Sequence, residues 1–302
     1  MTVAFWNNSK AIGIHCSGNS LFLAVLQKKS KDRVEPLHLI EGKLPDAFDI
    51  HALKDVGARN GVAELIIDIV EENNINSRRA CLALHHSAAL VNRSPISLGG
   101  DSKQIREHLR WEAVTILDAE DQTLVMDFFS VTDWIFSVAV RKEVLGLYRD
   151  IAMRAKIRKV NVDVPHFGLY NAMDGVNLFN SSGVQILLYV ADSEIFLVLV
   201  YNGEIIQIGT YARSAEDSIS QPVEDGILSI VAGLDEPVED IFCAGILLDN
   251  WIETLANKLG ANAVILDPFM RTKESVSNCS KNNEMHSQFA IAIGLAKREL
   301  VS

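Results

Sequence analysis

The spacing of apolar and polar residues changes several times along this chain, and each change marks an element. Ala11–Ile14 and Leu21–Gln27 are short apolar runs around the turn-like Cys16-Ser17-Gly18-Asn19-Ser20, and Val34–Ile40 is a third run of strand length. After Pro45 the period lengthens. Val62, Leu65, Ile66 and Ile69 recur at helical spacing over Val62–Val70, Asn73-Asn74 stop that helix, and Ala80–Leu84 reads as another buried strand. The same order returns later: Gln185–Val190 and Ile195–Tyr201 surround the polar turn Asp192-Ser193-Glu194, and Asn202-Gly203 predicts a type I′ hairpin into Glu204–Gly209. Helices over Pro222–Ala232 and Asn250–Leu259 follow, the second ending at Gly260, with strands over Glu239–Cys243 and Ala263–Leu266. Strand, turn, strand, strand, helix, strand therefore occurs twice, which predicts two related α/β lobes with a cleft between them.

A different rhythm separates the two repeats. Leu90–Ser97 reads as a strand, and Asp101-x-x-Gln104 has the form of a capping box opening a helix with Ile105, Leu109, Ala113 and Ile116 on one face. Strands over Thr123–Phe129 and Trp134–Arg141 come next, then a helix over Glu143–Ala155 with Val144, Leu147, Tyr148, Ile151 and Ala155 along one stripe, and Val160, Val162 and Val164 in alternation. This is a compact α+β module inserted into the first lobe. The expected organisation is a first lobe over 10–87, the module over 88–160, a returning helix over 161–180, a second lobe over 181–282 and a C-terminal helix over 283–302 that returns to the first lobe. Ser275–Glu284 is polar and reads as a loop before a helix over Met285–Leu300.

Composition narrows the function classes. The 302 residues carry 28 Lys+Arg against 39 Asp+Glu, a net charge of −11, which argues against a nucleic-acid-coating protein. With 48% hydrophobic residues the chain supports a large core. Its four cysteines, Cys16, Cys81, Cys243 and Cys279, form no CxxC pair, which predicts buried thiols in a reducing cytoplasm. Met1–Lys10 lacks the apolar run of a signal peptide, and Ile186–Tyr201 is interrupted by Asp192, Ser193 and Glu194, far short of the ~20 apolar residues a bilayer core requires. The expected location is cytoplasmic, with any membrane association made through a partner.

Several stretches resemble, in order, the PilM-type actin-like proteins of type IV pilus assembly, relatives of the cell-division protein FtsA. Ile105-Arg106-Glu107-His108-Leu109-Arg110-Trp111-Glu112-Ala113 is similar to that family's "RWEA" helix, and Val138-Ala139-Val140-Arg141-Lys142-Glu143-Val144 to its strand-to-helix junction. Val162-Asp163-Val164, Val264-Ile265-Leu266-Asp267-Pro268-Phe269 and Phe289-Ala290-Ile291-Ala292-Ile293-Gly294-Leu295-Ala296 follow at compatible spacing. The resemblance implies a two-lobed, ribonuclease H-like duplicated actin-like ATPase fold with the small α+β module inserted in the first lobe. It also implies a cytoplasmic scaffold that binds the N-terminal tail of a bitopic PilN-type inner-membrane protein, in a groove beside the module. Arg110, Trp111 and Glu112 lie on the matching helix and are partner-face candidates; the alternative for Trp111 is packing inside the module.

The resemblance also implies ATP and Mg²⁺ in the cleft, and here the sequence departs from the pattern. Such a site needs two glycine-bearing hairpin turns for the phosphates, acids for the metal and a Gly-rich turn beside the nucleoside. The first family turn, D-x-G-S-x-S, falls on His15, Cys16, Ser17, Gly18, Asn19 and Ser20; the second, D-x-G-x-S, on Tyr189, Val190, Ala191, Asp192 and Ser193. Both leading acids and both first glycines are replaced. The adenosine-side turn reads Ala244-Gly245-Ile246, with a β-branched residue where a glycine would leave space or take positive φ. Ser17, Gly18, Asn19, Ser20, Asp192, Ser193 and Gly245 remain as candidate contacts of a degenerate nucleotide cleft, and the expected protein is a pseudo-ATPase. Two alternatives are an active ATPase with a rearranged site and a type II secretion component of the same fold. His85-His86 follow a strand and could suggest a metal, but neighbours on a strand point to opposite faces, so one metal would need other ligands, and the favoured reading is a loop pair at the strand end.

Overall fold

A computed structural model describes residues 10–30, 33–77, 79–96, 101–173, 183–213, 221–246, 251–269 and 281–301. Three sheets organise these residues. The first contains β1 (Lys10–Ser17), β2 (Ser20–Ser30), β3 (Arg33–Lys43), β4 (Arg79–Ala83) and β8 (Lys159–Asp163) in the order β3-β2-β1-β4-β8. The second contains β9 (Val184–Val190), β10 (Glu194–Tyr201), β11 (Glu204–Ala212), β12 (Val238–Gly245) and β13 (Asn262–Ile265) in the order β11-β10-β9-β12-β13. The two are topological copies: in each, the first three strands are antiparallel neighbours and the last two run parallel to the opening strand. The predicted type I′ turn is present, with positive φ at both Asn202 (52°) and Gly203 (77°).

Between β4 and β8 the first lobe carries the third sheet, made of β5 (Ala89–Pro95), β6 (Leu124–Ser130) and β7 (Trp134–Arg141) in the order β5-β7-β6. Helix α2 (Ser102–Leu117) covers one face and is opened by the predicted capping box at Asp101 and Gln104. Alternation along the strands sorts the faces. Leu124, Met126, Ile135 and Ala139 pack against Leu109 and Ala113 of α2, whereas Phe136 and Val140 join the main core with Tyr148 and Ile151 of α3 (Lys142–Arg154). Ile116, expected on the buried stripe of α2, is exposed; Val114 and Leu117 pack in its place.

Helices cover both main sheets. Ile12 and Ile14 of β1 face Val62, Ala63, Ile66 and Ile69 of α1 (Val56–Glu72), which starts earlier than its apolar period because Asp55 caps it through the Ala58 N–H. Ala11 faces the other way, onto α8 (Ala290–Val301). In the second lobe Ile186, Leu188, Ile195 and Leu197 pack against α5 (Gln221–Ala232) and α6 (Trp251–Leu259), while Leu187, Tyr189, Phe196 and Val198 enter the core shared with the first lobe.

Helices α4 (Pro165–Ala172) and α8 meet with their backbones nearly in contact. A Cβ at Gly294 would lie 1.7 Å from the Gly168 carbonyl oxygen, and one at Gly13 would lie 1.8 Å from that of Ala292. Beside this crossing the buried Lys297 ammonium donates to the carbonyls of Ala172 (2.7 Å) and Pro268 (3.0 Å). The loop expected over Ser275–Glu284 falls partly on residues 270–280, outside the described residues; its last four residues are helical instead, in α7 (Lys281–Gln288). Cys81 and Cys243 are buried and Cys16 is half-buried, all three as free thiols; Cys279 lies outside the described residues.

Candidate functional sites

The β1–β2 and β9–β10 turns face each other across the cleft. Gly18 takes φ +52°, and a Cβ there would lie 2.6 Å from Oδ2 of Asp192, so the opposing turns are already in contact. Ser17, Ser20, Asp192 and Gly245 line a cavity of about 160 Å³ together with Phe22, Lys43, Tyr189 and Ile246. Asn19 and Ser193 do not line it. Their side chains are exposed, and their carbonyls accept from Leu44 N (2.8 Å) and Arg213 N (2.7 Å). Three polar groups of the cavity are occupied with one another: Ser20 Oγ donates to Glu41 Oε1 (2.8 Å), and Lys43 Nζ donates to both at 2.8 and 2.9 Å, while the buried Ser17 hydroxyl has no hydrogen-bond partner among the described residues.

Aromatic rings stand where acids would hold a metal. His15 is buried, meets Tyr189 edge-on with centroids 5.4 Å apart, and lies over Phe22 at 6.1 Å. Loss of solvent pulls the His15 imidazole down to about 4, so at neutral pH it is uncharged. The Tyr189 hydroxyl donates to Gln288 O at 2.8 Å. At the adenosine-side turn the positive φ falls on Gly245 (+82°), whose Cβ would lie 2.1 Å from Val190 O. Ile246 therefore needs no left-handed backbone; its N–H donates to Val190 O at 2.8 Å and its side chain lines the cavity. Magnesium prefers hard oxygen ligands and small-molecule sites usually measure ~300–1,000 Å³. The carboxylates left in this cavity as hard oxygen ligands are those of Asp192 and Glu41, and Glu41 is engaged by Ser20 and Lys43.

A second cavity, of about 550 Å³, lies under the module. Val125, Asp127 and Phe129 of β6 and Val138 and Val140 of β7 form its roof, Phe167 and Tyr170 of α4 its floor, and Glu204 and Ile205 of β11 its far wall. Period-two alternation creates it, because these are the strand positions pointing away from α2. Phe129 packs edge-on against Phe167 with centroids 5.1 Å apart and is 38% exposed, so the apolar surface opens to solvent. Acid dominates the charge. Asp163 pairs with Arg298 at the base and burial pushes its carboxyl up to about 6. Asp127 is exposed, and Glu204 Oε2 accepts from Thr132 N at 2.8 Å, tying the second lobe to the module.

Arg110, Trp111 and Glu112 do not line this groove; they sit on α2, behind the opposite face of the module sheet. Arg110 pairs with Asp121, and Glu112 accepts from Asn92 and Ser94 of β5, both at 3.0 Å, with His108 at 3.1 Å. Trp111 is 64% exposed, which rules out packing in the module core. The groove residues are not evident from the sequence because they come from at least six elements, β6, β7, β8, α4, β11 and α8; the only local signal was the alternation in β6 and β7.

No protein-family model and no curated protein sequence matches the chain significantly. Solved structures do. A structure described as the "PilM-PilN type IV pilus biogenesis complex" superposes at a TM-score of 0.79 with 17% identity, covering 97% of this chain and 99% of that one. A Bacteroides thetaiotaomicron protein described as having an actin-like ATPase fold and unknown function gives 0.52 with 11% identity, over 89% of this chain and 95% of that one. The cytoplasmic domain of EpsL, an inner-membrane component of the Vibrio cholerae type II secretion system, gives 0.46 with 13% identity over 78% and 82%, a likeness too loose to separate it from the wider fold. At these identities the comparisons establish the fold, which is the two-lobed actin-like ATPase fold with an inserted α+β module.

Proposed function

We propose that the chain is an actin-like scaffold of type IV pilus assembly whose binding activity resides in the groove beneath the module sheet. The partner is the cytoplasmic N-terminal tail of a PilN-type membrane protein. Residues 88–160 act as the docking module, and the two lobes act as its rigid support. The carrying observation is the 550 Å³ groove, apolar along β6, β7 and α4 and rimmed by Asp127 and Glu204. An extended segment with alternating apolar and basic side chains matches that surface in shape and charge. The similar structure is described as a complex of PilM with PilN, which supports this choice of partner. Among the described residues no helix is long and apolar enough to cross a membrane, so a bitopic partner would supply the membrane attachment.

The cleft supports a pseudo-ATPase reading. With His15 and Tyr189 at the acid positions and Asp192 against Gly18, neither the metal nor the phosphates have their usual partners. The deciding experiment is calorimetric titration with the tail peptide of a cognate PilN-type protein, and separately with ATP and Mg²⁺. One-to-one peptide binding at micromolar affinity with no heat from ATP is expected. Peptide silence at those concentrations overturns the scaffold reading; micromolar ATP binding overturns the pseudo-ATPase reading.

A further inference from the structure

The end of β4 and the start of β10 bring together three metal-ligating side chains from opposite lobes. His85 and His86 lie beyond the last residue of β4, with His86 opening a 3-10 turn, so the rule that strand neighbours point to opposite faces does not apply to them. Their ring centroids are 4.3 Å apart and both rings face Glu194. Glu194 Oε1 is 3.0 Å from His86 Nδ1 and 3.9 Å from His85 Nε2, and the three ligand atoms lie within 4.8 Å of one another. Zinc binds such atoms at about 2.0–2.2 Å, which places two ligands of a tetrahedral ion ~3.3 Å apart. The His86–Glu194 pair is already near that spacing, and the widest pair must close by up to about 1.5 Å to reach it.

Two further observations point to a ligand here. His86 Nδ1 is buried and stands 3.0 Å from Glu194 Oε1, so the two atoms already sit at the spacing of two ligands of one ion. His85 is held from behind. Its backbone N–H donates to the Tyr148 hydroxyl at 2.7 Å, and its Nδ1 is 2.8 Å from Ser87 Oγ, which can accept an Nδ1 proton and leave the Nε2 lone pair free for a metal. That tautomer gives up the longer 3.3 Å contact from the Ser87 N–H. The His86 side chain remains 31% exposed and gives the ion a path in.

We infer that His85, His86 and Glu194 form a divalent transition-metal site, of zinc type, that staples the first lobe to the second. Two imidazoles and one carboxylate suit zinc and leave a fourth position for water. The ion would join loops that are otherwise held across the cleft by side-chain contacts, so occupancy adds stability to the assembled pair of lobes.

The test uses untagged full-length protein treated with a chelator and then dialysed. Titration with Zn²⁺ is expected to show one ion per chain and a rise in the thermal midpoint, and Co²⁺ is expected to give the strong visible absorption of a four-coordinate ion. His86→Ala and Glu194→Gln should each weaken Zn²⁺ binding at least tenfold and abolish the thermal shift. His108→Ala, which breaks an exposed His–Glu pair on α2, should change neither. Glu194→Gln preserves size and polarity and carries the test if His86→Ala does not fold. Binding that is undiminished in the folded variants, or absent at millimolar Zn²⁺, overturns the site; binding without a thermal shift overturns the staple.

Discussion

The cavity at the facing hairpins and the cavity under the module have opposite contents. At the facing hairpins, where an actin-like fold places its nucleotide, 160 Å³ remain between Phe22, Tyr189 and a Ser20–Glu41–Lys43 network. Under the module, 550 Å³ of apolar surface open to solvent beside Asp127 and Glu204. The difference lies in what the polar groups are free to do. In the first cavity Ser20, Glu41 and Lys43 are matched to one another, and in the second Asp127 and Glu204 stand at the rim of an exposed apolar surface. A fold can keep its cleft as a structural seam and carry its binding surface on an insertion.

Titration should separate the two regions most strongly. His15 is buried with its folded value near 4, below the unfolded 6.5, so it contributes stability above pH 6.5 that is lost as pH falls towards 4. A shift of that size corresponds to about 3 kcal/mol. Denaturant melts of His15→Phe in chelator should lose about one proton of pH dependence over that window; a slope equal to that of the parent would mean that His15 is solvated. Asp163 under the module has the opposite sign. Its folded value is raised to about 6, so its contribution is present at pH 4 and is lost as pH rises through 6.

A smaller effect tests the groove itself. Val125 lines it and is 43% exposed, so Val125→Arg should leave the fold intact while reducing tail-peptide affinity about 30-fold, roughly 2 kcal/mol. Unchanged affinity in calorimetry would move the peptide off this surface. The smallest effect is expected behind the sheet. Trp111→Ala removes an exposed ring on α2 and should change stability by less than ~0.5 kcal/mol and peptide affinity by less than about twofold. A tenfold loss there would restore α2 as the docking face.

Local chemistry explains which parts of this could be read from the sequence. The second lobe was legible because its strands are uninterrupted apolar runs separated by an Asp-Ser-Glu turn and an Asn-Gly hairpin, each of which allows few backbone solutions. The opening helix was read too short because Val56, Gly57, Ala58 and Arg59 precede its apolar stripe; only the Asp55 cap marks its true start. The candidate cleft residues were found through the turns, and four of the seven line the cavity, but contact between Gly18 and Asp192 depends on how two lobes pack. The histidine pair lies in a loop at the strand end as its sequence predicts, since β4 ends at Ala83 and a 3-10 turn begins at His86; its approach to Glu194 depends on how the two lobes pack. Trp111 was ambiguous because a large aromatic on an amphipathic helix has the same sequence signature whether it faces inward or outward.

The crossing of α4 and α8 has a mechanical consequence. With the Gly294 backbone pressed on the Gly168 carbonyl, and Gly13 on that of Ala292, there is no layer of side chains between these elements to compress or shear. Strand β1, α4 and α8 therefore form one block within the first lobe, and relative movement of the lobes must leave that block intact. A tilt that widened the hairpin side of the molecule would change the far wall of the groove, where Glu204 and Thr132 join the second lobe to the module.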